Sequence, residues 1–183
     1  MANKSTIKIE SAQAFAQKKH SGQIKKDGVT PVIEHLEGVV SRLKGLGVND
    51  EDVLCAGWLH DVIEDTDTSF DEILNLFGKK TALLVLSLTK DKALPRKKRD
   101  SQYIKQLKAA PLEAKLIKLC DISSNLKDID KSDLKPSKKK KTIQQIIHYY
   151  HAILGQILES QPDNAQLQNL IDGINAVKGH VML

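Results

Sequence analysis

The sequence predicts an all-α fold, a bundle of about eight to ten helices forming one domain over residues 1–183. Three observations carry that expectation. Apolar residues recur with a period near 3.6 rather than 2 along most of the chain, and no alternating stretch of useful strand length occurs. Pro31, Pro95, Pro111, Pro136 and Pro162 all fall between the periodic segments, where a missing N–H does least damage. A chain of 183 residues is long enough for one compact core and short for two, and it carries neither a fixed-period repeat nor a domain linker.

Taken in order, residues 7–20 read as a first helix. A second spans 32–46, with Leu36, Val39, Val40, Leu43 and Leu46 on one face and Gly47 as its stop. Asn49 or Asp50 caps a third that runs to about Ile63. "SFDE", 69–72, matches a capping box for a fourth ending near Gly78, and the strongly apolar 79–90 forms a fifth. Residues 96–109 make a sixth, and Pro111 suits the first turn of a seventh reaching about Ile129. "KPSKKKK", 135–141, reads as a loop-like charge run. Two amphipathic helices close the chain, one striped by Ile143, Ile146, Ile147, Tyr150, Ile153, Leu154, Ile157 and Leu158, the other by Leu167, Leu170, Ile171, Ile174 and Val177.

Aromatic content is only 4%, so the core must be built from Leu, Ile, Val and Ala, and a base-stacking platform for single-stranded nucleic acid is disfavoured. Cys55 and Cys120 form no CxxC pattern and sit in apolar contexts, which fits buried thiols in a cytoplasmic protein. The absence of a long uncharged apolar run argues against secretion and membrane spanning. The formal net charge is +5, concentrated in Lys25-Lys26, "RKKR" at 96–99 and "KKKK" at 138–141, so an anionic partner is expected. A phosphorylated small molecule needs only that charge; the "KKKK" run itself reads as solvated surface.

Chemistry concentrates in "LHDVIEDTDTSFDE", residues 59–72. On a helix, His60 lines up with Val53, Ala56 and Ile63 and therefore rises from the buried side, with Glu64 one turn on and Asp61 and Asp65 on the neighbouring face. Burying a histidine among several carboxylates is costly unless a cation joins them. Two distant residues complete a set. His35 stands beside the apolar stripe in "GVTPVIEHLEGVV", and Asp121 is embedded in the apolar "LIKLCDISSNLKDI". Each has a plainer reading, His35 as a boundary residue and Asp121 as the partner of Lys118. Together with His60 and Asp61 they offer two imidazoles and two carboxylates, a donor set suited to manganese, iron or zinc.

The order His…His-Asp…Asp resembles that of HD-domain metal phosphohydrolases. "HSGQIKKDGVTPVIEHLEGVV", "LHDVIEDTDTSFDEILNLFG" and "AKLIKLCDISSNLKDI" are similar to the hydrolase domain of RelA/SpoT-type alarmone enzymes, most of all the short stand-alone branch, over about residues 6–160. The resemblance implies His35, His60, Asp61 and Asp121 as ligands of Mn²⁺. It implies Glu64 and Asp65 as the acidic pair that orients and activates water. It implies Lys25, Lys26, Arg96 and Asn125 as contacts to the substrate. The implied reaction hydrolyses guanosine 3′,5′-bis(diphosphate) and related alarmones at the 3′-diphosphate, releasing pyrophosphate. Departures fall around the ligands: Val32 stands for a tyrosine, Leu36 for a proline, Ile24 for an arginine and "DISSN", with Ser123 and Ser124, for "DKLSN" or "DKLYN", while Gln145 stands where a substrate-facing tyrosine is expected. They bear on substrate preference, so a different nucleotide such as NADPH or a deoxynucleotide, and a non-catalytic binder of alarmone or nucleic acid, stay open. Nucleic acid is the less favoured partner, no membrane contact is expected, and the sequence leaves oligomeric state open.

Overall fold

The structure, a computed structural model, describes residues 4–25 and 28–182. Among the described residues it is all-α, with nine helices and a lone antiparallel bridge between Ile24 and Pro31. The helices are α1 (Lys4–Lys19), α2 (Val32–Gly45), α3 (Glu51–Leu59), α4 (Val62–Asp65), α5 (Phe70–Leu88), α6 (Arg96–Ala109), α7 (Leu112–Lys131), α8 (Pro136–Ser160) and α9 (Ala165–Met182). No described helix is long and apolar enough to cross a membrane.

Helix α3 is the hub of one half: α1, α2 and α5 all pack on it. Every residue from Val53 to Leu59 is buried, because three neighbours cover the helix on all sides. Helix α7 is the hub of the other half, packed by α2, α8, α9 and α5. Helix α2 therefore bridges the two hubs, and its buried residues, His35, Leu36, Val39, Val40 and Leu43, include the one histidine of that stripe. Its approach to α3 depends on Gly57, where a Cβ would meet Leu43 Cδ1 at 2.9 Å and Val40 Cγ2 at 3.1 Å. Cys55 and Cys120 are buried and unpaired, and burial pushes both thiols up to about 12.

Caps fall where the sequence places them. Asp50 accepts from the backbone N–H groups of Asp52 and Val53, and Ser69 Oγ accepts from Glu72. The predicted fourth and fifth helices meet at Gly78, whose φ of 84° bends α5 sharply between two helical halves.

Three expectations are corrected. The third helix stops at Leu59 instead of running to Ile63, and α4 restarts after a turn at His60-Asp61. The Gly57 carbonyl, which an unbroken helix would present to the Asp61 N–H, accepts from the His60 ring at 2.8 Å. "KPSKKKK" is no loop: Pro136 occupies the first turn of α8 and the lysines continue it. Proline costs nothing at that position, and exposed lysines are good helix formers once the apolar stripe downstream has nucleated the helix. Pro111 is the N-cap of α7 and not its first residue.

Candidate metal centre

Three elements deliver the central residues. His35 comes from the first turn of α2, His60 from the turn after α3, and Asp121 from the middle of α7. One ligand atom of each lies within 4.8 Å of the other two. All three are buried, at 2%, 4% and 4% exposure. His35 Nε2 is 3.0 Å from Asp121 Oδ1, His60 Nε2 is 3.6 Å from the same oxygen, and Asp61 Oδ2 is 3.4 Å from His60 Nε2. Of the four residues expected to grip one ion, His35, His60 and Asp121 converge, and Asp61 lies at the half-buried edge beside His60.

Two observations show that this set fits a dication. His60 donates Nδ1–H to the Gly57 carbonyl, which turns Nε2 toward the cluster. That Nε2 is buried and makes no hydrogen bond among the described residues, an arrangement that costs free energy unless something binds there. His35 is also held through Nδ1, which lies 3.1 Å from Asp128 Oδ2 and 2.6 Å from Lys25 Nζ. Electrostatics tie the group together. Burial alone would lower the basicity of His60, but Asp61 and then Asp121 outweigh it and hold the ring up to about 9. Burial would likewise raise the Asp121 carboxyl, but Lys118 first, then His35 and His60, keep it well below the usual carboxylate range.

Around this centre α7 presents one polar face. Lys118 donates to Asp121 Oδ2 at 2.7 Å, and Asn125 Nδ2 donates to Oδ1 at 2.6 Å. Lys25 in turn donates to Asn125 Oδ1 at 2.6 Å and stands 3.6 Å from Asp128. The acidic pair lies at the end of α4. Glu64 accepts from the Lys90 backbone N–H at 3.1 Å, with Lys90 Nζ 3.5 Å away. Asp65 is more open and accepts from Lys92 Nζ at 2.8 Å, while the same ammonium donates to the Glu64 carbonyl. Arg96 opens α6 and is exposed; Lys26 lies outside the described residues.

A family model described as HD domain matches residues 12–155. The chain belongs to the HD domain family. This HD protein is 40% identical over 119 residues to the guanosine-3′,5′-bis(diphosphate) 3′-pyrophosphohydrolase MESH1 of Danio rerio, an alignment covering 64% of this chain and 66% of that one. The Mus musculus enzyme of the same name is 40% identical over 133 residues, covering 72% and 74%. A solved structure, described as a metazoan ortholog of SpoT that hydrolyzes ppGpp and plays a role in starvation responses, matches with a TM-score of 0.83 at 31% identity, covering 97% of this chain and 99% of that one. The resemblance read from the motifs is thereby confirmed at the level of the SpoT-type branch.

Some of the surrounding residues of this HD protein escape a sequence reading. Asp128 looks like ordinary surface in "LKDI", yet it backs His35. The signal is the spacing Lys118, Asp121, Asn125, Asp128, which follows one face of a helix. Gln145, at the place of the expected tyrosine, donates to Asp100 Oδ1 and to the Tyr149 hydroxyl, both at 2.8 Å. Tyr149, one turn later on α8, is buried, with Lys118 Nζ 5.4 Å from its ring.

Proposed function

We propose that this protein is a Mn²⁺-dependent hydrolase of guanosine 3′,5′-bis(diphosphate) and related alarmones, working as one domain. The observation that carries the reading is the buried His60 Nε2, which makes no hydrogen bond among the described residues and faces Asp121 Oδ1 and the His35 ring, beside an acidic pair. The names of the relatives supply the substrate class. His35, His60, Asp61 and Asp121 would hold the ion, a nitrogen and oxygen set that suits Mn²⁺ better than Mg²⁺ or Ca²⁺. When bound, such an ion polarises a phosphoryl oxygen and lowers the pKa of water.

The chain's own groups do the remainder. Glu64, held by Lys90, and Asp65, at the open edge, orient the attacking water and take its proton. Water adds to the phosphorus attached to the ribose 3′ oxygen, the P–O3′ bond breaks, and that oxygen leaves with a proton. One tetraphosphate and one water give GDP and pyrophosphate. Lys25, Lys26, Arg96 and Asn125 supply charge and hydrogen bonds to a substrate that carries two diphosphates, which accounts for the basic balance of the chain. Asp61 and Asp121 remain ionised for the ion at neutral pH, since neighbouring cations hold both carboxyls low.

The test is pyrophosphate release from the tetraphosphate by purified protein with Mn²⁺ and after chelation. Activity is expected only with the ion, and Glu64→Gln is expected to lower kcat by about 10²–10⁴-fold. Phosphate release from NADPH or a deoxynucleotide, with none of the pyrophosphate reaction, would overturn the substrate assignment.

A further inference from the structure

Lys118 and Lys90 touch two of the acidic groups of the site, Asp121 and Glu64, and neither reaches the substrate in the reaction as described. Lys118 is 8% exposed and sits among core residues of α7, Leu116, Ile117 and Leu119, with its ammonium 2.7 Å from Asp121 Oδ2. Lys90 leaves the end of α5 and fastens Glu64 through both its backbone N–H and its ammonium. Both ammonium groups stand over the same two rings. Lys118 Nζ is 5.4 Å from the centroids of Tyr103 and Tyr149, and Lys90 Nζ is 4.7 Å and 5.6 Å from them. The rings meet edge to face at 5.1 Å. Each is pinned through its hydroxyl, Tyr103 donating to the Leu88 carbonyl at 2.9 Å and Tyr149 to Asp100 at 3.2 Å.

Burying an ammonium is costly, and a buried ion pair contributes no more stability than an apolar pair of the same shape. A core position of α7 therefore has no need of Lys118 for folding. Its geometry has a consequence for the site. Lys118 holds Oδ2 of Asp121, and Oδ1, which also accepts from Asn125, is the oxygen that lies 3.0 Å from His35 Nε2 and 3.6 Å from His60 Nε2. Two ammonium groups also offset part of the charge of Asp61, Glu64 and Asp121. That balance suits a centre that must take a dication first and a polyanion second.

We infer that Lys118 and Lys90, seated on the shared Tyr103–Tyr149 wall, are positioning residues: Lys118 restricts Asp121 to one-oxygen contact with the ion, and Lys90 sets the orientation of Glu64. The inference rests on the reading above of Asp121 as a ligand and Glu64 as the base. It is tested on the full chain by titrating Mn²⁺ without substrate, following free Mn²⁺ by electron paramagnetic resonance, alongside kcat and KM for the tetraphosphate. Lys118→Met is expected to bind Mn²⁺ about tenfold more tightly, because a positive charge beside the ligand is gone. Its kcat is expected to fall by about 10–100-fold, because an outer partner that fixed the ligand is lost. Lys118→Arg restores both toward wild type. Lys90→Met loses about tenfold in kcat at little changed KM. A general structural defect weakens metal binding and turnover together, so weaker or unshifted Mn²⁺ binding in Lys118→Met overturns the role of Lys118. An unchanged kcat in Lys90→Met overturns that of Lys90. If Lys118→Met does not fold, Lys118→Gln, which keeps a donor toward Oδ2 and removes the charge, must still tighten Mn²⁺ binding. The titration contains no substrate, so it remains decisive even if the wild type proves inactive, an outcome that would overturn the proposed reaction instead.

Discussion

Asp121 puts a charge where its helix demands an apolar residue, and His35 stands beside the apolar stripe of its own helix. Asp128 gives a fainter sign, a place on the polar face of α7 with Lys118, Asp121 and Asn125, and its distance of 3.1 Å from His35 Nδ1 shows what it backs. A carboxylate in that place orients a ligand ring and raises its basicity. Asp128→Asn is therefore expected to weaken Mn²⁺ binding by about 10-fold or more while leaving the thermal midpoint of the metal-free protein near that of wild type. Equilibrium Mn²⁺ titration and a melting curve in chelator check both halves. An unchanged affinity would mean that Lys25, at 2.6 Å from the same nitrogen, is the partner that matters.

Helix starts are legible because capping chemistry is local. Asp50, Ser69 and Pro95 each mark the residue before a helix, and α6 runs over the residues its period predicts. Helix interruptions are not, since the turn at His60-Asp61 follows from where the His60 ring finds its acceptor, which no periodicity records. The α8 start is hidden for the opposite reason: a lysine run looks unstructured by itself, and the stabilising stripe lies downstream of it. The Asp50 cap allows a quantitative check on α3, the helix that ends at His60. Lys80 holds the Asp50 carboxyl below its usual range through a 2.5 Å contact. A depressed folded value means the contribution is complete above the unfolded carboxylate pKa of about 4 and is lost as pH falls through the lower folded value. Asp50→Ala is expected to cost about 1 kcal/mol in chemical denaturation at pH 7, and the gap from wild type should narrow below about pH 4. A gap that widens on acidification would show that Asp50 acts otherwise than as an ionised cap.

At the scale of the whole molecule, the site is a meeting of distant segments. His35, His60 and Asp121 come from α2, the α3–α4 turn and α7, and the packing of α2 on both hubs and of the hubs on each other brings them together. Residue types hint at that convergence, but spacing along the chain does not encode it, because it depends on how Gly57 lets α2 close onto α3. An ion bound there links both halves of the bundle and binds the folded chain alone, so it must stabilise by mass action. Free Mn²⁺ at about 100 times its dissociation constant gives about 2.7 kcal/mol. For a chain of this size that moves the thermal midpoint up by about 5–10 °C. Chelation should reverse the rise, and Mg²⁺ or Ca²⁺ should produce little of it, given two imidazole donors. His60→Ala, which removes the buried orphan nitrogen, should melt at the same temperature with and without Mn²⁺. A wild type that also melts identically in Mn²⁺ and in chelator would mean the three side chains meet for structural reasons alone, and the metal-dependent reaction would lose its centre.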